Sequence, residues 1–334
     1  MKLRIVYALM ATTAICAPLS APAWAQTPST PPTADPTQAP PPPQAVPTQL
    51  DAVTTAAMRS RRTLDDVPAT VSVITTENID RENMQDVRDL VRNEPGVTVG
   101  NNPGRAGFQN FVVRGIGGNR VLLMVDGMRT PDFPDSNQGA GTYSREQPDL
   151  EDIKRVEIIR GPASALYGSD AIGGVVAYTT KDPGDYMRDG KDVYASAKAA
   201  YSGANQQFSE SFTGAVRSGN VEFMGIYTRR DGHEYQPAQT TVSPNPTTWS
   251  NNNFFAKLVI KPTEVDTIRL TGSYNQSTQS TNVLSAIGTF PSLFARVYDE
   301  WGRDYTNTYR ISAQWEHNAP IGFVDRLSFL AYFN

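Results

Sequence analysis

From residue 190 onward, apolar residues fall at every second position in successive short segments. Val193, Ala195, Ala197, Ala199 and Tyr201 share one face of a strand, as do Val221, Phe223, Gly225 and Tyr227. The alternation returns in Phe254, Ala256, Leu258 and Ile260, and again in Ile268, Leu270, Gly272 and Tyr274. It closes with Tyr309, Ile311, Ala313 and Trp315, then Leu327, Phe329, Ala331 and Phe333. The opposite faces read as largely polar, with Thr267, Arg269, Thr271, Ser273 and Asn275 in one strand and Arg310, Ser312, Gln314 and Glu316 in another. A period of two marks strands with one apolar face. Such strands fit a β-sandwich or a membrane barrel with lipid outside and a polar interior.

Connection lengths separate the two. Ser218-Gly219-Asn220 and residues 262–265 make short turns, whereas 231–252 and 279–304 form long polar connections. Alternating short and long ends are the habit of outer-membrane barrels. Tyr201, Tyr227, Tyr274 and Trp315, near strand ends, suit an interfacial aromatic girdle. About seven strands are expected after residue 190. An odd, unclosed set leaves edges that lipid does not tolerate, so a longer protein is expected.

Residues 57–182 have a different texture, that of a compact α+β domain. Residues 70–74, 111–114, 121–125, 155–159 and 175–179 read as strands of a small sheet, with Asp126-Gly127 as a tight turn. Met84, Val87, Leu90 and Val91 fall on one helical face, and that helix should stop before Pro95-Gly96.

The first 25 residues carry Lys2 and Arg4, an apolar run over 6–19, and Ala23-Trp24-Ala25. This is the pattern of a cleaved secretory signal, with the mature chain starting at Gln26. Cys16 is the one cysteine and leaves with it, so no disulfide or thiolate metal site is expected. Residues 26–49 are rich in proline and should form an extended spacer. After the signal there is no run of about 20 apolar residues that would span a membrane as a helix.

Lys and Arg total 30 against 34 Asp and Glu, a net charge of −4 that gives no argument for nucleic-acid binding. Gly115-Ile116-Gly117-Gly118-Asn119-Arg120 lacks the third glycine of a dinucleotide loop, and neither H-E-x-x-H nor G-x-S-x-G occurs. Asp135-Ser136-Asn137-Gln138-Gly139 misses the spacing of a calcium loop. His233 and His317 are the only histidines, and His317 is expected to be exposed at a strand end. No enzyme, metal centre or resident cofactor is expected.

Several segments together resemble the TonB-dependent outer-membrane receptors. Leu64-Asp65-Asp66-Val67-Pro68-Ala69, running into the 70–74 strand, is similar to the opening of that family's plug. Arg114-Gly115 and the run from 121 to Asp126-Gly127 are similar to its central strands. The most specific stretch is Ile153-Lys154-Arg155-Val156-Glu157-Ile158-Ile159-Arg160-Gly161-Pro162-Ala163-Ser164-Ala165-Leu166-Tyr167-Gly168, continuing through Ala171-Ile172-Gly173-Gly174-Val175-Val176. The resemblance implies a plug domain (57–182) followed by antiparallel transmembrane β-barrel strands (190–334), incomplete in this chain.

It further implies that Leu50, Asp51, Ala52, Val53, Thr54, Thr55 and Ala56 form a TonB box, an extended segment suited to strand addition to the periplasmic partner TonB. No nucleotide-binding P-loop occurs, so the work of transport would arrive through TonB. Arg114, Glu157 and Arg160 read either as an ion-pair network inside the plug or, as the family suggests, as a latch between plug and barrel.

Residues 121–127 and 160–178, with Arg229-Arg230-Asp231-Gly232-His233-Glu234, are most similar to the haem and haemoglobin branch of the family. That implies haem or a haem protein as transported ligand. A ferric siderophore is the alternative, and a passive porin or binding barrel a more distant one. Residues 57–182 contain no histidine, a departure from receptors that hold haem iron on the plug. Tyr143 and His233 are the candidate ligand-binding residues in its place, because tyrosine and histidine both serve as axial ligands.

Overall fold

The computed structural model describes residues 53–54, 62–63, 70–102, 108–132, 145, 147–187, 190–235, 243–290, 295–322 and 324–334. The signal and spacer readings, most of the 50–56 segment and Tyr143 lie outside them. All described residues belong to the unit Leu50–Asn334. Its first elements are two short paired strands, β1 (Val53–Thr54) and β2 (Arg62–Thr63).

The domain that follows is built on a five-stranded sheet. It comprises β3 (Thr70–Thr75), β6 (Val121–Val125), β7 (Met128–Arg129), β8 (Ile153–Arg160) and β9 (Gly174–Thr180), in the order β3-β8-β9-β6-β7. β6 and β9 run parallel and every other pair is antiparallel. All five residues of β6 are buried. Val121, Leu123 and Val125 join one core cluster while Leu122 and Met124 join another, which is why this strand is apolar without alternation. The first cluster packs against α1 (Thr76–Arg81) and α2 (Val87–Val91) through Ile79, Val87, Leu90 and Val91. The second lies beside α3 (Ser164–Tyr167), on the other face of the sheet.

Two sequence expectations change here. The helix does not reach back to Met84, because Asn83 has φ +47° and Asp86 caps α2 by accepting from the amides of Arg88 and Asp89. Met84 still packs on the core, just ahead of the helix. The 111–114 strand, β5 (Phe108–Val113), is not in the main sheet but forms a hairpin with β4 (Val97–Asn102). It stops before Arg114, whose φ of +50° turns the chain.

From residue 193 the chain forms a seven-stranded antiparallel meander. Its strands are β10 (Val193–Ser202), β11 (Gln207–Ser218), β12 (Val221–His233), β13 (Thr247–Ile260), β14 (Asp266–Asn282), β17 (Trp301–His317) and β18 (Leu327–Phe333). A small hairpin, β15 (Gly288–Phe290) with β16 (Ala295–Val297), occupies the connection between β14 and β17. The strand β11 shows in the sequence only through Phe208, Phe212 and Val216, so the alternation passes over it.

The long connections are shorter than the sequence pattern implies, because β12 runs on to His233 and β13 begins at Thr247. Likewise β14 reaches Asn282 and β17 starts at Trp301. About 9–11 residues suffice to cross a membrane. β14 and β17 have 17 each, so their ends continue in polar residues that a hydrophobic pattern reads as loop.

Register puts Tyr227 opposite Phe254, Phe254 opposite Tyr274, and Tyr274 opposite Tyr309. The ring centroids are 4.6, 6.3 and 4.8 Å apart, a continuous aromatic row on the outward face. On the side of the short turns lie Phe223, Leu258 and Leu270, also in register. On the side of the long connections the next outward positions are Arg229, Asn252, Gln276 and Asn307. An apolar belt edged by aromatic rings and then polar residues is the profile of a strand wall in lipid.

Candidate functional site

The inward face of this wall meets the plug domain, and an apolar patch interrupts the largely polar face expected from the sequence pattern. Ala215, Met224, Ile226 and Phe255 are buried there against Tyr186, Met187 and Tyr194. Around this patch the contacts are polar, several of them ionic. They form three tiers between the short turns and the long connections.

The lowest tier centres on Lys257 of β13, 3% exposed. Its ammonium donates to Thr180 Oγ1 at 2.5 Å and to Asp182 Oδ1 at 3.0 Å, and lies 3.8 Å from Asp126. Arg269 of β14 donates to the other Asp182 oxygen at 3.2 Å and to Glu316 of β17 at 2.8 Å. Burial alone would raise the Asp182 carboxyl, but Lys257 and Arg269 outweigh it and hold the group below the usual carboxylate range. Asp126, with φ +49° in its turn, ties β6 to the same place by accepting from the Thr180 amide and hydroxyl.

The middle tier joins Arg230 of β12 to both oxygens of Asp149 in a bidentate pair. Asn253 of β13 donates to Asp152 Oδ2 at 2.8 Å. Asp152 is 3% exposed, and among the described residues its Oδ1 has no hydrogen-bond partner. Burial, and then the neighbouring Asp149 charge, push its carboxyl well above the usual range, against the pull of Asn253, Arg230 and Lys181. Lys198 of β10 bridges Glu151 at 2.8 Å and Asp80 at 3.0 Å.

The highest tier lies at the end of the long connections. Gln207 of β11 donates to Gln85 at 3.4 Å. The Tyr235 hydroxyl donates to Asp86 Oδ2 at 3.0 Å.

The residues singled out from sequence are placed as follows. Arg160 donates to Pro95 O at 2.9 Å and Ser72 Oγ at 2.6 Å, and lies 3.6 Å from Glu94. Arg114 reaches Thr70 Oγ1 at 3.4 Å, and its amide donates to Gly96 O. Glu157, 1% exposed, accepts from Arg155 at 2.9 Å. These bonds lie within the plug, so the plug-to-wall bonds described above rest on other residues. Val53–Thr54 pairs with Arg62–Thr63 in an extended ladder, while the rest of 50–56 lies outside the described residues. His233 ends β12 exposed, its carbonyl accepting from Trp249 Nε1 at 3.1 Å. With Glu234, Thr247, Thr281 and Trp301 it lines a shallow open depression. His317 is not simply exposed, since its Nδ1 lies 2.8 Å from Asp266.

Sequence reasoning gave no plug-to-wall role to Asp126, Asp149, Asp152, Asp182, Arg230, Lys257 and Arg269. No signal in the sequence sets them apart: Lys257, between Ala256 and Leu258, falls on the face opposite the apolar one, just as Arg269 does between Ile268 and Leu270. Among the described residues no group of three or more His, Cys, Asp or Glu side chains is arranged to hold a metal ion.

Residues 63–175 match the family model described as the TonB-dependent Receptor Plug Domain. The chain is 37% identical over 180 residues to hemoglobin and hemoglobin-haptoglobin-binding protein B of Haemophilus influenzae, covering 52% of this chain and 17% of that protein. It is 29% identical over 279 residues to hemoglobin-binding protein A of the same organism, covering 77% of this chain and 27% of that one. The chain therefore spans about a sixth to a quarter of the length of these relatives. The FrpB iron transporter from Neisseria meningitidis has a similar fold, with a TM-score of 0.65 at 20% identity, over 78% of this chain and 40% of that one.

Proposed function

Since this chain carries the plug of an outer-membrane TonB-dependent receptor followed by strands like those of such a receptor's barrel, we propose that it serves active import of an iron compound, with haem or haem from haemoglobin as the cargo. The observation that carries this reading is the plug held against the inward face of the wall by buried ion pairs at Lys257 and Arg230. A wall built around a permanently open pore has no use for such an attachment. These pairs have to part before a path opens past the plug, and in this reading work from outside the receptor parts them.

The family is one of transport receptors rather than enzymes. In this reading TonB supplies the work by adding a strand to the Leu50–Ala56 segment, whose centre, Val53–Thr54, is extended. The cargo assignment rests on relatives named for haemoglobin binding. His233, exposed at the end of the long connections, and Tyr143 are the proposed cargo contacts.

The test is growth of an iron-starved strain that has this full-length receptor as its one route for iron. Growth on haemin or haemoglobin is expected. Growth on a ferric siderophore alone would replace the haem reading with the siderophore one. If the receptor binds haem, Tyr143→Phe with His233→Ala should shift its Soret band, and an unchanged band would remove both residues as ligands.

A further inference from the structure

Tyr235 is the first residue past β12 with a hydrogen bond to the plug. Its hydroxyl donates to Asp86, and the Arg88 guanidinium stacks over its ring, 4.0 Å from the centroid. Arg88 also donates to Asp86 through Nε at 2.9 Å, so the three side chains close a triangle. Asp86 is at the same time the N-cap of α2, accepting from the Arg88 amide at 2.8 Å. The contact from the wall therefore lands on the group that starts a plug helix. Burial raises the Tyr235 hydroxyl to about 12, so it stays a donor at any physiological pH.

The far side of Tyr235 is also tied. Glu234 accepts from the Thr247 amide at 2.9 Å, closing the base of the connection between β12 and β13. Asn245, at the other end of that connection, exchanges two hydrogen bonds with Ser285, at 3.0 and 2.9 Å. Ser285 belongs to the connection between β14 and β17. The described parts of the two long connections are thus bonded to each other, and Tyr235 joins the first of them to the plug.

We propose that Tyr235 is a strap coupling the long connections to the plug segment 85–91, so that displacement of either loosens the other. The chemistry suits a reversible contact. It is one hydrogen bond to a carboxylate and one cation–π stack, at residues between 22% and 41% exposed, rather than a buried ion pair like those of the lower tiers. Coupling of this kind is reciprocal by linkage. It does not depend on which cargo is carried.

Hydrogen exchange on the purified full-length receptor, without cargo, tests it. Tyr235→Phe keeps the ring over Arg88 and removes the hydroxyl. It should speed exchange of the amides at 85–91 by about tenfold, the scale of one hydrogen bond to a charged group. Exchange in β8 and β9 should not change. Arg88→Gln should in turn speed exchange at 243–249, and the double variant should add little to either single change. Unchanged exchange at 85–91 in Tyr235→Phe would overturn the proposal. So would acceleration spread evenly through β8 and β9, which would mean general destabilisation, or fully additive effects in the double variant.

Discussion

The Lys257 ammonium on β13 stands 3.0 Å from the Asp182 carboxylate at the end of the plug, and Lys257 is 3% exposed. One strand residue thus holds Asp182 and Thr180 together and stands near Asp126, so it fastens the last plug strand and the β6 turn to the wall.

Lys257→Met should therefore loosen the plug. It leaves the half-buried Asp182 carboxylate with Arg269 as its remaining cationic partner, at a cost of about 1–3 kcal/mol. In the full-length receptor the plug should unfold at lower urea concentration than the barrel, and cells should become sensitive to large antibiotics that the outer membrane normally excludes. Lys257→Arg should restore much of both. Unchanged antibiotic exclusion together with an unchanged urea midpoint for Lys257→Met would refute the anchoring role.

The plug's grip should weaken as pH rises. The Asp152 carboxyl is raised by burial and by Asp149 when the plug is docked, and returns toward about 4 when solvated. The docked state thus binds the proton more tightly. Docking is favoured below the ordinary carboxylate value and loses stability as pH climbs from there toward the raised value. Urea midpoints of the plug measured across this window should fall with pH in the natural protein. Asp152→Asn should flatten that slope. A slope of equal size in both would assign the pH dependence to another group.

Leu270 faces outward beside Leu258 and Phe223, within the apolar belt. Leu270→Arg should impair folding of the full-length receptor into bilayers by about 2–4 kcal/mol, the cost of a basic residue near the midplane of a barrel wall. Asn307, on the polar side of the aromatic row, should tolerate arginine with little effect. Equal tolerance at both positions, read from folding into lipid vesicles, would displace the belt from where the aromatic row puts it.

Much of this architecture was legible beforehand, and the exceptions share a cause. Alternation located the wall strands because lipid imposes it on every outward position, as at Phe223, Leu258 and Leu270. It stopped short at residues such as Asn252 and Gln276, which continue their strands beyond the belt and need no apolar side chain there. Glu157 and Arg160 stood out as charges within and at the end of an apolar strand. The bonds from plug to wall were hidden because each joins residues far apart in the chain, such as Arg230 and Asp149, and neither partner is unusual alone. The apolar inward patch at Met224 and Ile226 was missed for the same reason, since its partners Tyr186 and Met187 precede the wall.

Val53→Pro should leave cargo binding unchanged and stop uptake. Proline removes a ladder donor from the segment proposed to join TonB's sheet. Normal uptake by this variant would move the TonB contact elsewhere.

Uptake of iron-radiolabelled haemin, compared in cells with and without TonB, tests the central claim most directly. The strains should express the full-length receptor as the one haem route. Accumulation should be rapid with TonB and fall to the level of cells lacking the receptor without it, while haemin binding at the surface stays the same. Equal accumulation in both strains would contradict active import and make the protein a passive pore.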